Sequence, residues 1–129
     1  MGEILLDSNV IIAYLEPENH HHAVSTAVLL EKDNIYYLSA LSISECLMVA
    51  FREGYEFAIE SLFRIKQLIT TVLWLSEEIA ISAAQIGAES NLKTADSVIL
   101  ATAKYHALVL WTFDKRLASK SERIRYLLS

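Results

Sequence analysis

Ile4-Leu5-Leu6-Asp7-Ser8-Asn9-Val10 is the stretch that decides the fold. Three apolar residues with no polar alternation suit a strand buried on both faces, as in parallel sheets covered by helices. Asp7-Ser8-Asn9 then offers N-cap chemistry for a short helix over Val10–Glu16, stopped by Pro17. The same strand-then-helix pattern recurs along the chain. Ile35–Ser39, Thr70–Leu75 and Leu108–Phe113 read as strands, and a last one lies near Ile124–Leu128. Helices are predicted over His20–Lys32, Ser42–Glu53, Tyr55–Ile69, from Ser76 to about Ser90, over Thr94–His106, and briefly after Asp114. Ser42 and Glu45 have capping-box spacing, Ser76 reads as an N-cap and Gly54 as a stop. No two strands are joined by a hairpin signal. The chain must therefore cross over between strands, which gives an α/β fold with a parallel sheet.

Composition agrees with that expectation. The 129 residues include 53% hydrophobic and 21% charged, enough to bury a core in one domain spanning 1–129. Three Gly and one Pro are too few for a sandwich or barrel with many tight turns. The single cysteine, Cys46, excludes an internal disulfide and a cysteine zinc cluster, and reads as a buried small hydrophobe. The Met-Gly-Glu start lacks the features of a secretory leader, and charges interrupt every apolar stretch, so a soluble cytoplasmic protein is expected. Net charge is −5, but residues 115–129 hold five bases (Lys115, Arg116, Lys120, Arg123, Arg125) against one acid, Glu122. An acidic body carries a basic tail.

Ligands of open parallel sheets bind beyond the carboxyl ends of the strands. Asp7 and Asp114 fall at such ends, and Glu45 lies on a helix that starts from the same edge. Asp96 belongs to a helix entered from another helix, so its placement there is inferred. Glu45 precedes Met48 and Val49, and Asp96 precedes Ile99, Leu100 and Ala103, so both acids sit on apolar stripes. A carboxylate facing a core is costly, and four that converge resist ionisation. A divalent cation relieves both difficulties, and hard oxygen donors suit magnesium or manganese. Each acid also has a plainer role. Asp7 and Asp114 suit N-caps, and Glu45 and Asp96 suit first-turn acids worth about 0.3–1 kcal/mol each. His20-His21-His22 reads as a surface helix start, since adjacent helical residues point apart. Tyr36, Tyr37, Trp74 and Trp111 read as core residues of strands. No phosphate-binding glycine loop, nucleophile elbow or dinucleotide fingerprint is present.

Four segments taken together resemble the PIN domain: Leu6-Asp7-Ser8-Asn9-Val10-Ile11-Ile12, Ser42-Ile43-Ser44-Glu45, Thr94-Ala95-Asp96-Ser97-Val98-Ile99-Leu100-Ala101-Thr102-Ala103, and Thr112-Phe113-Asp114-Lys115-Arg116-Leu117. More narrowly the chain is similar to VapC-type toxins of type II toxin–antitoxin pairs. The resemblance implies a three-layer α/β/α fold and a magnesium- or manganese-dependent endoribonuclease that hydrolyses RNA with metal-activated water. It implies Asp7, Asp96 and Asp114 as metal ligands, and Glu45 as a further ligand or the group orienting the water. Ser8 and Thr112 would support those ligands, and Lys115 and Arg116 would hold substrate phosphate. A small antitoxin protein, homodimerisation and no membrane attachment follow as expectations. The alternatives are a PIN-like RNA- or protein-binding module that does not cut, and a housekeeping RNA-processing nuclease. The segment before Asp96, Leu92-Lys93-Thr94, lacks the prolines common there in the family.

Overall fold

The computed structural model describes residues 2–31 and 33–128. Its elements are β1 (Gly2–Leu6), α1 (Ser8–Leu15), α2 (His22–Leu29), β2 (Asn34–Ser39), α3 (Ala40–Glu53), α4 (Tyr55–Leu68), β3 (Thr71–Leu73), α5 (Glu77–Ser90), α6 (Thr94–Tyr105), β4 (Val109–Thr112), α7 (Lys115–Ala118) and β5 (Ile124–Tyr126). The five strands form one sheet in the order β3-β2-β1-β4-β5. Every pairing is parallel, with Leu5 opposite Tyr37 on one side and Leu110 on the other.

The pleat of β1 divides the core in two. Ile4 and Leu6 join Tyr36, Leu38 and Trp111 beneath α1–α4, with Val10, Cys46 and Ile65 filling that layer. Leu5 points the other way and packs with Leu73, Leu110, Ile99 and Leu117, under α6 and α7. A third cluster, Ile79, Ala83, Val98 and Ala101, glues α5 to α6. Burial on both faces explains why β1 has no polar alternation, and the result is a three-layer α/β/α arrangement. The order in which strands are added reverses at β1 and β4: the connection from β1 leads to β2 on one side, whereas β4 and β5 lie on the other. The carboxyl ends of β1 and β4 thus border the crevice where such sheets bind ligands.

The sequence expectations shift in several places. α3 begins at Ala40, where the Ser39 hydroxyl accepts the Leu41 N–H at 3.2 Å. Ser42 is buried inside the helix rather than capping it. α2 spans fewer residues than predicted, and Lys32, its predicted end, lies outside the described residues. β3 ends at Leu73, so Trp74 leaves the sheet and is 82% exposed instead of lying in the core. The His20–His22 segment is the expected helix start, with His20 exposed and His21 at the N-cap of α2. His22 Nδ1 lies 2.7 Å from the Ala13 carbonyl, and the His21 ring stacks on Phe113. Gly54 stops α3 at φ +150°, a conformation that suits a residue without Cβ. Among the described residues, no helix is long and apolar enough to cross a membrane.

Candidate active site

The edge is built around Asp7, only 8% exposed at the carboxyl end of β1. Its N–H extends the ladder to β4 by donating to the Trp111 carbonyl at 3.0 Å. Its Oδ1 accepts the Ser8 N–H at 2.8 Å, which makes it the N-cap of α1. Its Oδ2 accepts the Thr112 hydroxyl at 2.7 Å. Thr112 is fully buried, and its Oγ1 accepts two further bonds, from the Asp114 N–H at 2.9 Å and from Asn9 Nδ2 at 3.3 Å. One hydroxyl therefore uses its single donor and both acceptor positions to fasten Asp7 and Asp114 to the same point. Asn9 completes the brace, since its Oδ1 accepts the Phe113 N–H at 3.2 Å.

The sequence places Asn9 in the cap segment and in the first PIN-like stretch, with no role of its own. Its bracing role depends on contacts more than one hundred residues away, which no local pattern shows. Ser8 was expected to support the ligands. In the structure its backbone N–H donates to Asp7.

Electrostatics tie the acids together. Burial pushes Asp7 up to about 6, and the negative charges of Asp96 and Glu45 add to that, against the lowering effect of the Thr112 and Ser8 bonds. Asp96 is raised as well, by burial first and then by Asp114, while Lys93 and Arg116 partly offset it. Cys46, buried beside Glu45, is pushed up to about 12 by burial and by the charges of Glu45 and Asp7, so it remains a neutral thiol. The four acids named from sequence thus act on one another through Asp7 and Asp96.

Their plainer roles hold only in part. Asp7 and Asp114 do cap helices, the latter accepting from the Arg116 and Leu117 N–H groups through Oδ1. Asp96 lies in the first turn of α6. Glu45 does not lie in the first turn of α3, because that helix starts five residues earlier, so the helix dipole does not account for it. Its stripe is apolar but not fully buried, since Met48 is 55% exposed.

Among the described residues, no three His, Cys, Asp or Glu side chains are grouped closely enough to hold a metal ion by themselves. The donor chemistry nevertheless suits a hard cation: the acids raise one another, and Asp7 is buried without a bonded Lys or Arg among the described residues. Magnesium commonly takes one or two carboxylates and fills its remaining positions with water and substrate phosphate, so an open arrangement is compatible with it. Lys115 and Arg116 are exposed at the start of α7. Arg116 already donates to the Asn91 carbonyl at 3.1 Å and lowers Asp96, so it also braces this edge.

A family model described as PIN domain matches residues 4–122. None of the curated proteins compared with the chain matches it. Among solved structures, FitAcB from Neisseria gonorrhoeae is 29% identical with a TM-score of 0.69, covering 88% of this chain and 89% of that one. A toxin–antitoxin complex from Klebsiella pneumoniae superimposes with a TM-score of 0.81 at 20% identity, covering 95% of each chain. VapC20 from Mycobacterium tuberculosis, described as a Sarcin-Ricin loop cleaving toxin, gives 0.78 at 16% identity over 95% of this chain and 98% of that one.

Proposed function

Because the chain belongs to the PIN domain family, we propose that it is a metal-dependent endoribonuclease, the toxin of a toxin–antitoxin pair acting in the cytoplasm. The observation that carries this reading is the state of Asp7. A carboxylate buried at the switch point, pushed up to about 6 by burial and by the charges of Asp96 and Glu45, supports a role in holding a cation. Asp7, Asp96 and Asp114 would hold magnesium or manganese, with Glu45 as a further ligand or as the acceptor that orients the attacking water. A divalent ion held by these residues would supply a more acidic water and positive charge for the leaving oxygen of the phosphodiester.

The chain's own groups do the positioning. Thr112 and the Ser8 N–H each take one oxygen of Asp7, which fixes the carboxylate plane and leaves further lone pairs for a cation. Asp114 commits Oδ1 to its own helix, so Oδ2 is the oxygen open to a ligand. Lys115 and Arg116 follow directly and supply positive charge for the substrate backbone.

The antitoxin reading draws support from the structural neighbours described as toxin–antitoxin complexes. It also draws on the α3–α4 pair, which leaves Met48, Phe51, Tyr55, Ile59 and Phe63 exposed after its inner face has packed on the sheet. An antitoxin segment is proposed to cover this apolar surface. Homodimerisation is proposed from the family resemblance, and a monomer in sedimentation at micromolar concentrations would contradict it.

The reading is tested by incubating the protein with a mixed RNA pool in magnesium, in manganese and in chelator. Cleavage with either metal and none in chelator is expected. Equal cleavage in chelator would overturn the metal dependence, and intact RNA in all three would overturn the nuclease.

A further inference from the structure

Phe113 lies between two residues of the acidic edge, Thr112 and Asp114, and its N–H is held by Asn9. Its ring is 9% exposed. The His21 ring stacks on it with centroids 4.2 Å apart and planes at 16°. The His20 ring follows at 3.9 Å from His21, tilted by 42°. The three rings are joined by two successive ring contacts, from buried Phe113 through His21 to the exposed His20 imidazole.

The column is held in place from below. The Asn19 side chain accepts the His21 N–H at 2.9 Å, the Asn19 carbonyl accepts the His22 N–H at 2.9 Å, and the His22 ring is pinned at Ala13. Burial, and then His20, lowers the pKa of His21, which favours the neutral ring. His20 is exposed, so it adds little burial and leaves the outer end of the column open.

We propose that Phe113, His21 and His20 form a stacking platform for one unpaired RNA base next to the phosphodiester that is cut. The proposal rests on the nuclease reading above and specifies its substrate as single-stranded RNA at that position. Base–aromatic stacking tolerates every base because each has a π face, so the platform positions RNA with only modest sequence preference. The innermost ring, Phe113, immediately precedes Asp114 in the chain.

The test compares the wild-type chain with His20→Ala, His20→Trp and His20→Lys. Cleavage of a single-stranded RNA carrying 2-aminopurine, a fluorescent base, is followed in magnesium. Since His20 is exposed, all variants should melt with the wild type. Wild type should quench the fluorophore at one position near the cut. His20→Ala should raise KM roughly 5- to 100-fold, the range expected for losing one stacked base, with a much smaller change in kcat. His20→Trp should restore KM, and His20→Lys, which supplies a cation but no ring, should not. A wild-type KM in His20→Ala, or equal rescue by lysine and tryptophan, would overturn the platform while leaving the nuclease standing. Wild type that neither cuts the RNA nor quenches the fluorophore would overturn the nuclease reading, and the platform with it.

Discussion

Asp7→Asn should make the metal-free protein more stable at neutral pH. Burial first, then Asp96 and Glu45, raise Asp7 from 3.8 to about 6. A folded-state pKa above the unfolded value means that the folded protein binds the extra proton more tightly. The associated stability is fully present below the unfolded pKa and is lost as pH rises through 6. A shift of about two units corresponds to about 3 kcal/mol lost by pH 7, of which roughly 1.3 kcal/mol returns on acidification to pH 5. An amide removes the charge but disturbs the brace. The Thr112 hydroxyl and the Ser8 N–H are both donors to Asp7, and an amide can accept only one of them through oxygen while its NH2 faces the other. That mismatch costs about 1–2 kcal/mol. The balance is a gain of roughly 1–2 kcal/mol at pH 7, or several degrees in melting temperature. Urea unfolding in chelator at pH 7 and pH 5 measures it. Wild type should gain about 1.3 kcal/mol more than the variant on acidification. A variant less stable than wild type at pH 7, with an unchanged pH dependence, would refute the reasoning.

Three other perturbations separate the brace from the surface. Thr112→Val removes the donor to Asp7 and the acceptor for Asp114 and Asn9, and should cost about 1–3 kcal/mol in chemical denaturation together with most of the cleavage. Asn9→Ala frees the Phe113 N–H and should lower cleavage through a displaced Asp114, at about 1–2 kcal/mol of stability by the same measurement. Glu31→Gln breaks the 3.3 Å pair with Arg125 between two side chains that are nearly half exposed, and should change stability by no more than about 0.5 kcal/mol.

The fold was legible because β1 and β4 are short apolar runs, each ending in aspartate. Burial on both faces leaves that mark in a sequence, and helices between strands leave only the parallel solution. Asp7 and Asp114 were legible for the same reason, being the first polar residues after buried strands. Thr112 came from the family resemblance, but its use of all three hydrogen-bonding positions came from the structure. Asn9, Ser39 and the His20–His21–Phe113 column were not legible. A cap at Ser39 or Ser42 satisfies the same helix end, and only the strand's true exit selects one. Trp74 misled because an aromatic in an apolar run reads as core, whereas the strand ended one residue before it.

The most direct measurement is the initial rate of RNA cleavage in magnesium at pH 7 by wild type and by Asp7→Asn, each shown by its unfolding curve to be folded. Cleavage by wild type and none above background by the variant is the expected result. Cleavage by the folded variant at the wild-type rate, yielding the same fragments, would contradict the assignment of the buried acid as the centre of the chemistry.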